Sequence, residues 1–277
     1  MEPYWKVIEQ IIRESDLVLE ILDARLVELS RNQEVEKLVE EIGRPLIFVI
    51  NKSDLVSKES IKKQVKKLRQ EGEVVFITAK KPASVKILLY AIKKVFQKYG
   101  KRAPTIKDPF AKKTKHREAR ADIVAGVLGY PNVGKSSIIN ALSHKRKVKV
   151  SKKSGTTHGV HWVKASNEIK LLDSPGVFPL QEDDEIRYGL IGAKDTERLR
   201  NPEIVAHAII KLFLKNNKKA FENFYKIEIN NKNSKDVYKI IEELGKKKGH
   251  LLKGGVVDEN RTCSMIVRDW QQGRLRL

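Results

Sequence analysis

Short, almost wholly apolar segments alternate with helical patterns through the first half of this 277-residue chain. Four segments have the length and β-branching of parallel strands that are buried on both faces, at 16–22, 45–50, 74–78 and 123–128. Helical patterns lie between the first three and after the third, at about 32–42, 58–70 and 84–99. This alternation predicts right-handed βαβ units, and therefore an α/β fold with a doubly wound, mostly parallel sheet.

After the third helical pattern, the spacing of apolar residues along the chain changes twice. Residues 100–120 lose all periodicity and contain eight Lys or Arg against two acidic residues, which is typical of a linker. Two further strands are predicted around 161–165 and 169–172, joined as a hairpin. Apolar side chains then repeat at helical spacing, at Val237, Ile240, Ile241 and Leu244, and at Cys263, Ile266, Val267 and Trp270. We predict an α/β domain over 1–195, with a linker at about 100–120, and a smaller all-helical domain over 196–277.

A glycine-rich segment follows the fourth strand, Gly129-Tyr130-Pro131-Asn132-Val133-Gly134-Lys135-Ser136. Its glycines let backbone amides turn inward around phosphate oxygens, at the positive end of the next helix. Lys135 is placed to reach the β- and γ-phosphates of a nucleotide, and the Ser136 hydroxyl to bind Mg²⁺. Such a segment also occurs by chance, but a strand before it and a helix after it are the context that a phosphate-binding loop requires. We predict nucleotide contacts from Asn132, Val133, Gly134, Lys135, Ser136 and Ser137.

Two later segments contain candidates for the metal and the γ-phosphate. Asp173-Ser174-Pro175-Gly176 ends a predicted strand, so that the Asp173 carboxylate belongs near Mg²⁺ and Gly176 can place its N–H against the γ-phosphate. Such a tetrapeptide alone is often an ordinary turn. In Gly155-Thr156-Thr157, Thr157 is the candidate hydroxyl that completes the metal shell. We predict catalytic roles for Lys135, Thr157 and Gly176, and Mg²⁺ ligands at Ser136, Thr157 and Asp173.

Asn51-Lys52-Ser53-Asp54 indicates which base is bound. The Asp54 carboxylate can accept hydrogen bonds from the N1–H and the amine of guanine, which adenine cannot offer. The Lys52 stem can lie over the ring, and Asn51 is expected to brace neighbouring loops. A helix-capping turn would explain Ser53 and Asp54, but not Thr78-Ala79-Lys80 at the end of the next strand, where Ala79 can offer its N–H to the guanine carbonyl. We predict GTP and GDP as ligands, with contacts from Asn51, Lys52, Asp54, Thr78, Ala79 and Lys80.

Two side chains near the phosphates bear on the rate of hydrolysis. Val177 stands after Gly176, where many GTPases have a glutamine that orients the attacking water. An apolar side chain cannot orient water, so we predict slow intrinsic hydrolysis that is completed by a group supplied from outside. Asn132 is a candidate ligand for K⁺ near the phosphates, with bracing of the loop as the alternative role.

Charge and cysteine content narrow the class of protein. Lys and Arg number 56 against 35 Asp and Glu, a net charge of +21, which favours a polyanionic partner over a thermophile surface because the basic residues cluster. The chain has a single cysteine, Cys263, which excludes a disulfide framework and a cysteine-based zinc ribbon. We see no leader segment and no apolar run of about eighteen residues, so we expect a cytoplasmic protein without a membrane span. The candidate residues for contact with a polyanionic partner are Lys145, Arg146, Lys147, Lys149, Lys152, Lys153, Lys246, Lys247, Lys248, Arg261 and Arg268.

The base-reading motifs precede the phosphate-binding loop, the reverse of the usual order. In this arrangement the chain resembles the circularly permuted P-loop GTPases of the YlqF/RbgA and YawG kind. Further similar stretches are Asp23-Ala24-Arg25, Ser30-Arg31-Asn32, Lys253–Asp258 and Arg268–Arg274. The resemblance implies a switch protein that binds rRNA and the large ribosomal subunit or its precursor during assembly, as a monomer and without DNA or membrane. The alternatives are a GTPase acting on another RNA such as tRNA, and an RNA-binding protein whose nucleotide is only structural.

Overall fold

The computed structural model describes residues 3–102, 123–143, 161–173, 184–230 and 236–277. The chain divides into two compact units. The first comprises Met1–Asp54 and Lys58–Pro179, and the second comprises Leu55–Ser57 and Leu180–Leu277. The linker predicted at about 100–120 lies almost entirely outside the described residues.

The first unit is built on a six-stranded sheet, and its strand order is β3-β2-β1-β4-β6-β5. The strands are β1 (Leu17–Asp23), β2 (Leu46–Asn51), β3 (Glu73–Phe76), β4 (Ile123–Leu128), β5 (His161–Lys164) and β6 (Ile169–Asp173). Every neighbouring pair is parallel except β5 and β6, which form the predicted antiparallel hairpin. The predicted doubly wound, mostly parallel sheet is therefore confirmed. β1, β4 and β6 are buried at every residue, because helices cover a parallel sheet on both faces.

The helices in the described part of this unit are α1 (Pro3–Glu14), α2 (Gln33–Glu41), α3 (Lys58–Val65), α4 (Leu68–Glu71), α5 (Pro82–Tyr99) and α6 (Lys135–Leu142). The helix predicted over 58–70 is divided into α3 and α4. α1 was not anticipated, although Ile8, Ile11 and Ile12 follow helical spacing and are all buried. Short 3-10 turns occupy Glu28–Ser30, Ser53–Leu55 and, in the second unit, Thr196–Arg198.

One buried carboxylate holds both ends of the segment that links α5 to β4. Asp16 accepts hydrogen bonds from the backbone N–H and the Nη1 of Arg102, both at 3.1 Å. Its other oxygen accepts the backbone N–H of Val124 at 2.7 Å. Residues on either side of 103–122 are therefore held close together, which is the condition for joining the original termini of a permuted domain.

The second unit is helical in its described part. Its helices are α7 (Glu185–Ile191), α8 (Pro202–Asn216), α9 (Lys218–Tyr225), α10 (Val237–Lys248) and α11 (Glu259–Gln271). Asn201 caps the N-terminus of α8, since its side chain accepts the N–H of Glu203 at 3.0 Å. All eight apolar residues that repeat at helical spacing in α10 and α11 are buried.

This unit includes α7, whereas the sequence placed the domain boundary at 195/196, after that helix. The reason is that α7 packs with the C-terminal helices. The Trp270 indole donates to the carbonyl of Leu190 at 2.7 Å, and the Gln271 amide donates to the carbonyl of Gly189 at 3.0 Å. No sequence pattern within 180–195 signals these partners, which lie far away along the chain.

Within the described residues, none of the helices has the length and apolar character needed to cross a bilayer. The same part of the chain contains no group of three His, Cys, Asp or Glu residues that could hold a metal ion without other ligands. Cys263 is a buried free thiol on α11.

Candidate functional site

The loop between β4 and α6 depends on its two glycines. Gly129 has a φ of 146°, and a Cβ there would lie 2.7 Å from the backbone oxygen of Ile21. Gly134 has a φ of 106°, and a Cβ there would lie 2.2 Å from the Asn51 Nδ2. Asn132 also has a positive φ, 60°. The loop therefore turns back on itself against the carboxyl ends of β1 and β2, and no side chain fits at either glycine.

Lys135, the first residue of α6, lies beneath this loop. It is 7% exposed, and its Nζ donates to the carbonyl oxygens of Gly129 at 2.5 Å and Tyr130 at 2.9 Å. Burial lowers the pKa of Lys135 to about 8, against the opposing effect of Asp173. Here these two carbonyls accept the hydrogen bonds that Lys135 can donate to phosphate oxygens when a loop of this kind holds a nucleotide. An ammonium group that is poorly hydrated and held by neutral acceptors is well suited to bind an anion.

Asp173 lies beside the loop, because β6 pairs in parallel with β4 and matches Asp173 with Val127. It is 1% exposed, and neither carboxylate oxygen accepts a hydrogen bond in the described part of the chain. Burial raises the pKa of Asp173 to about 6, although Lys135 and His161 oppose that shift. A buried carboxylate without partners requires an explanation. Together with the Ser136 hydroxyl it offers hard oxygen ligands of the kind that Mg²⁺ prefers, so the residues present fit this ion.

The base-reading segments meet the phosphate-binding loop at the carboxyl edge of the sheet. The Asn51 Nδ2 donates to the carbonyl of Val133 at 2.8 Å, which joins the end of β2 to the loop after β4. The Ser53 hydroxyl donates to the carbonyl of Ile77 at 3.0 Å, and its oxygen lies 3.1 Å from the Thr78 hydroxyl oxygen. Three segments that are far apart in sequence thus converge where ligands bind in open α/β sheets.

The side chains expected to read the base differ in exposure. Asp54 and Lys80 are exposed, and Ala79 is half-buried. Thr78 is 7% exposed, and the turn after it is fixed by the Ser84 hydroxyl, which donates to the Thr78 carbonyl at 2.7 Å. The turn that presents Ala79 and Lys80 is therefore rigid, while the Asp54 carboxylate is free to meet a ligand.

Comparison with known proteins agrees with this geometry. The family described as 50S ribosome-binding GTPase matches residues 124–248. An uncharacterized GTP-binding protein of Methanocaldococcus jannaschii is 34% identical over 273 residues, which cover 99% of this chain and 66% of that protein. Ribosome biogenesis GTPase A of Priestia megaterium is 29% identical over 261 residues, or 92% and 84% of the two chains. GNP-bound YlqF from T. maritima has the same fold, with a TM-score of 0.60, 22% identity and coverage of 99% and 96%.

The chain belongs to the circularly permuted YlqF/RbgA family of GTPases. The match to the YlqF structure spans the base-reading strands as well as the phosphate-binding loop, whereas the 50S ribosome-binding model begins only at β4. Several curated relatives are longer, and this chain spans about half to two thirds of their length.

The described part of this family member includes most of the predicted nucleotide contacts. The predicted contact residues of the base-reading segments, and those from Asn132 to Ser137, lie at the carboxyl edge of the sheet described above. Thr157 and Gly176 fall outside the described residues, as do Val177 and the basic stretch 145–153. Their assigned roles, and the roles of individual contacts, stay predictions.

Two contacts at the site have no signal in the sequence motifs. The Lys52 Nζ forms an ion pair of 2.7 Å with Asp23, the last residue of β1. The Asn32 amide lies 3.5 Å from the Tyr130 hydroxyl of the phosphate-binding loop. Both Asp23 and Asn32 belong to stretches that resemble the family's motifs, but no spacing rule assigns them partners. A carboxylate at the last position of a buried, mostly apolar strand was the one available hint.

The burial of Asp173 without a hydrogen-bond partner among the described residues predicts an unusual change in stability. Because its folded pKa, about 6, exceeds the ordinary value near 4, its stabilising contribution is present below about pH 4 and is lost as the pH rises through 6. Above about pH 7, Asp173→Asn is therefore expected to raise the free energy of unfolding of the nucleotide-free protein by about 1–3 kcal/mol. Denaturant unfolding at a series of pH values measures this.

Near pH 4, Asp173→Asn and the wild type should have the same free energy of unfolding. Asp16→Asn is the matched control, since Asp16 is equally buried but has hydrogen-bond partners, and its replacement should destabilise the fold. A destabilised Asp173→Asn above pH 7 would show that the carboxylate has a partner of its own in the folded protein.

Proposed function

We propose that this chain is a GTP-hydrolysing switch that binds rRNA and acts in assembly of the large ribosomal subunit. The observation that carries the proposal is the hydrogen bond from Asn51 to the Val133 carbonyl, which joins the base-reading turn to the phosphate-binding loop, as one shared nucleotide site requires. The exposed Asp54 carboxylate supports guanine as the base, since adenine would leave it unpaired. The relative from P. megaterium is named a ribosome biogenesis GTPase, which supports the ribosomal role.

In this proposal each polar group of the loop has a distinct task. Lys135 moves its ammonium group from the carbonyls of Gly129 and Tyr130 to the β- and γ-phosphates. Ser136, Asp173 and Thr157 hold Mg²⁺, which neutralises charge on the phosphates when it is bound. Gly176 donates its N–H to the γ-phosphate, and Asn132 is the candidate ligand for K⁺.

Hydrolysis is expected to be slow until a partner completes the site. Val177 cannot orient water, so we propose that ribosomal particles supply the missing group. The cytoplasmic location and the monomeric state stay predictions.

Exposed cations of the second unit are the candidates for the RNA-binding face. Lys246, Lys247 and Lys248 end α10, and all three are exposed. Arg261 and Arg268 are exposed on α11. Cations near a helix C-terminus are also favoured by the helix dipole, so their presence alone does not require RNA.

Charge reversal separates these two explanations. Replacing all three of Lys246, Lys247 and Lys248 by glutamate is expected to lower affinity for large-subunit precursors at least about tenfold, because contacts with RNA phosphates are lost. Each lost contact should also reduce the slope of log affinity against log salt concentration by about one. Sedimentation binding over a series of salt concentrations measures both quantities. The matched control reverses Lys62, Lys66 and Lys67, which are exposed in the first unit and give the same change in net charge. Equal losses in both variants would indicate a non-specific effect of charge.

The function itself is tested by GTP turnover with different RNAs. Stimulation by large subunits or their precursors supports the proposal, and stimulation by tRNA alone supports the tRNA alternative. Absence of hydrolysis under both conditions, with GDP still bound, supports a structural nucleotide. Co-sedimentation with precursor particles should also differ between a non-hydrolysable GTP analogue and GDP, since a switch must bind its target differently in its two states.

A further inference from the structure

The carboxyl end of β1 places a carboxylate beside the base-reading turn. β1 and β2 run parallel, and their register matches Asp23 with Asn51. The backbone N–H of Ala24 donates to the Asn51 carbonyl at 2.9 Å, which extends the pairing past the end of the strand. Asp23 is therefore held next to Lys52 by the sheet itself.

Asp23 is buried and holds two cations. Its carboxylate accepts the Arg25 Nε at 3.0 Å and Nη2 at 2.8 Å, together with the Arg25 backbone N–H at 3.0 Å. The same carboxylate accepts the Lys52 Nζ at 2.7 Å. Asp23 and Arg25 are 1% and 2% exposed. The Arg25 guanidinium already neutralises the charge of the Asp23 carboxylate. The second ion pair, with Lys52, is therefore not needed for charge balance.

Lys52 is constrained at both ends. Its backbone has a φ of 59°, a conformation that a lysine rarely adopts. Its Nζ is fixed on Asp23, while the side chain remains 21% exposed. The four-carbon stem is thus stretched between two fixed points with part of its surface uncovered. A free lysine side chain would lose conformational entropy on packing against a ligand, and a stem that is already ordered avoids most of that loss.

We propose that Asp23 is a positioning residue for guanine recognition, which anchors the Lys52 ammonium group so that the Lys52 stem forms a fixed wall of the base slot. The inference rests on the proposed nucleotide site and adds to it the residue that orders one of its contacts. Asp54 reads the edge of the base, and the anchored stem covers its face. Asp23 touches no ligand itself, and it acts through Lys52.

Arg25 keeps Asp23 in the state that this role requires. Burial by itself would raise the pKa of Asp23, but Arg25 and then Lys52 outweigh that effect and hold the pKa below its ordinary value. The carboxylate therefore stays ionised across the physiological range. The loop that contains Arg25 is fixed by Gln64, whose side chain accepts the Val27 N–H at 2.9 Å and donates to the Ala24 carbonyl at 3.3 Å.

A double-mutant cycle on GDP affinity tests the inference, with Asp23→Asn, Lys52→Met and the double variant. Methionine retains most of the apolar stem but has no group to anchor, so each single variant is expected to weaken GDP binding about tenfold. The double variant should lose little more than either single one, because both remove the same anchored contact. The preference for GDP over ADP should persist in all three, since Asp54 is unchanged. The KM for GTP should rise while kcat at saturation stays the same.

Asp16→Asn is the matched control for stability. Asp16 precedes β1 at the opposite edge of the sheet, is equally buried and also pairs with an arginine, so its loss should destabilise the fold without changing GDP affinity. Unchanged GDP affinity in Asp23→Asn, or a full additional tenfold loss in the double variant, would overturn the inference. If Asp23→Asn does not fold, Lys52→Met alone decides, since it leaves the Asp23–Arg25 pair intact, and an unchanged affinity would overturn the inference. A wild-type chain that binds no GDP would instead overturn the proposed nucleotide site, and this inference with it.

Discussion

Replacing Asp54 with asparagine is expected to lower the preference for GDP over ADP by at least about a hundredfold. The exposed carboxylate is the one group of the base-reading turn that can accept from both the N1–H and the amine of guanine. Asparagine presents an N–H to one of these donors, and a polar group that is left unpaired in the complex costs more than its hydrogen bond is worth. Competitive titration with GDP and ADP measures the ratio directly.

The same chemistry predicts a gain as well as a loss. Xanthine has a carbonyl where guanine has its amine, so the side-chain amide introduced by Asp54→Asn can donate to it, and the variant should bind XDP more tightly than the wild type does. Glu40→Gln is the control, because Glu40 is an exposed carboxylate on α2 away from the converging loops. An Asp54→Asn variant that keeps the full preference for GDP would show that another group reads the base.

Gly134→Ala is expected to lower affinity for GDP and for a non-hydrolysable GTP analogue at least about a hundredfold, and to destabilise the nucleotide-free fold by about 2–4 kcal/mol. The added methyl would lie 2.2 Å from the Asn51 Nδ2, at a backbone φ of 106°. Relief of this clash must break the hydrogen bond from Asn51 to Val133 or shift the start of α6. Calorimetric titration and thermal unfolding measure the two effects.

Gly43→Ala distinguishes the clash from simple backbone strain. Gly43 has a φ of 73°, and a Cβ there meets nothing within 4 Å. Its replacement is expected to cost about 1 kcal/mol from the left-handed conformation alone and to leave nucleotide binding unchanged. If Gly134→Ala and Gly43→Ala have the same affinity for nucleotide, then the close approach of Asn51 to Gly134 has no part in nucleotide binding.

Much of this architecture follows from local patterns. The four strands β1 to β4 lie within one or two residues of the apolar segments that predict them, because strands of a parallel sheet are buried on both faces and so have few polar residues. The buried positions of α10 and α11 follow from spacing alone. α1 was overlooked although it has the same kind of spacing. The inclusion of α7 in the second unit could not be predicted, since it depends on hydrogen bonds from Trp270 and Gln271.

The amino-acid sequence by itself determined the alternation of strands and helices, the two glycines of the phosphate-binding loop and the identity of the base-reading side chains. These properties depend on residues within a few positions of one another, so the order of side chains along the chain is sufficient. Only the tertiary structure decided that Asn51 holds Val133, that Asp173 is buried without a partner among the described residues, and that Asp23 anchors Lys52. Each of these depends on which strands are neighbours and in what register, and that is set by the packing of the whole sheet.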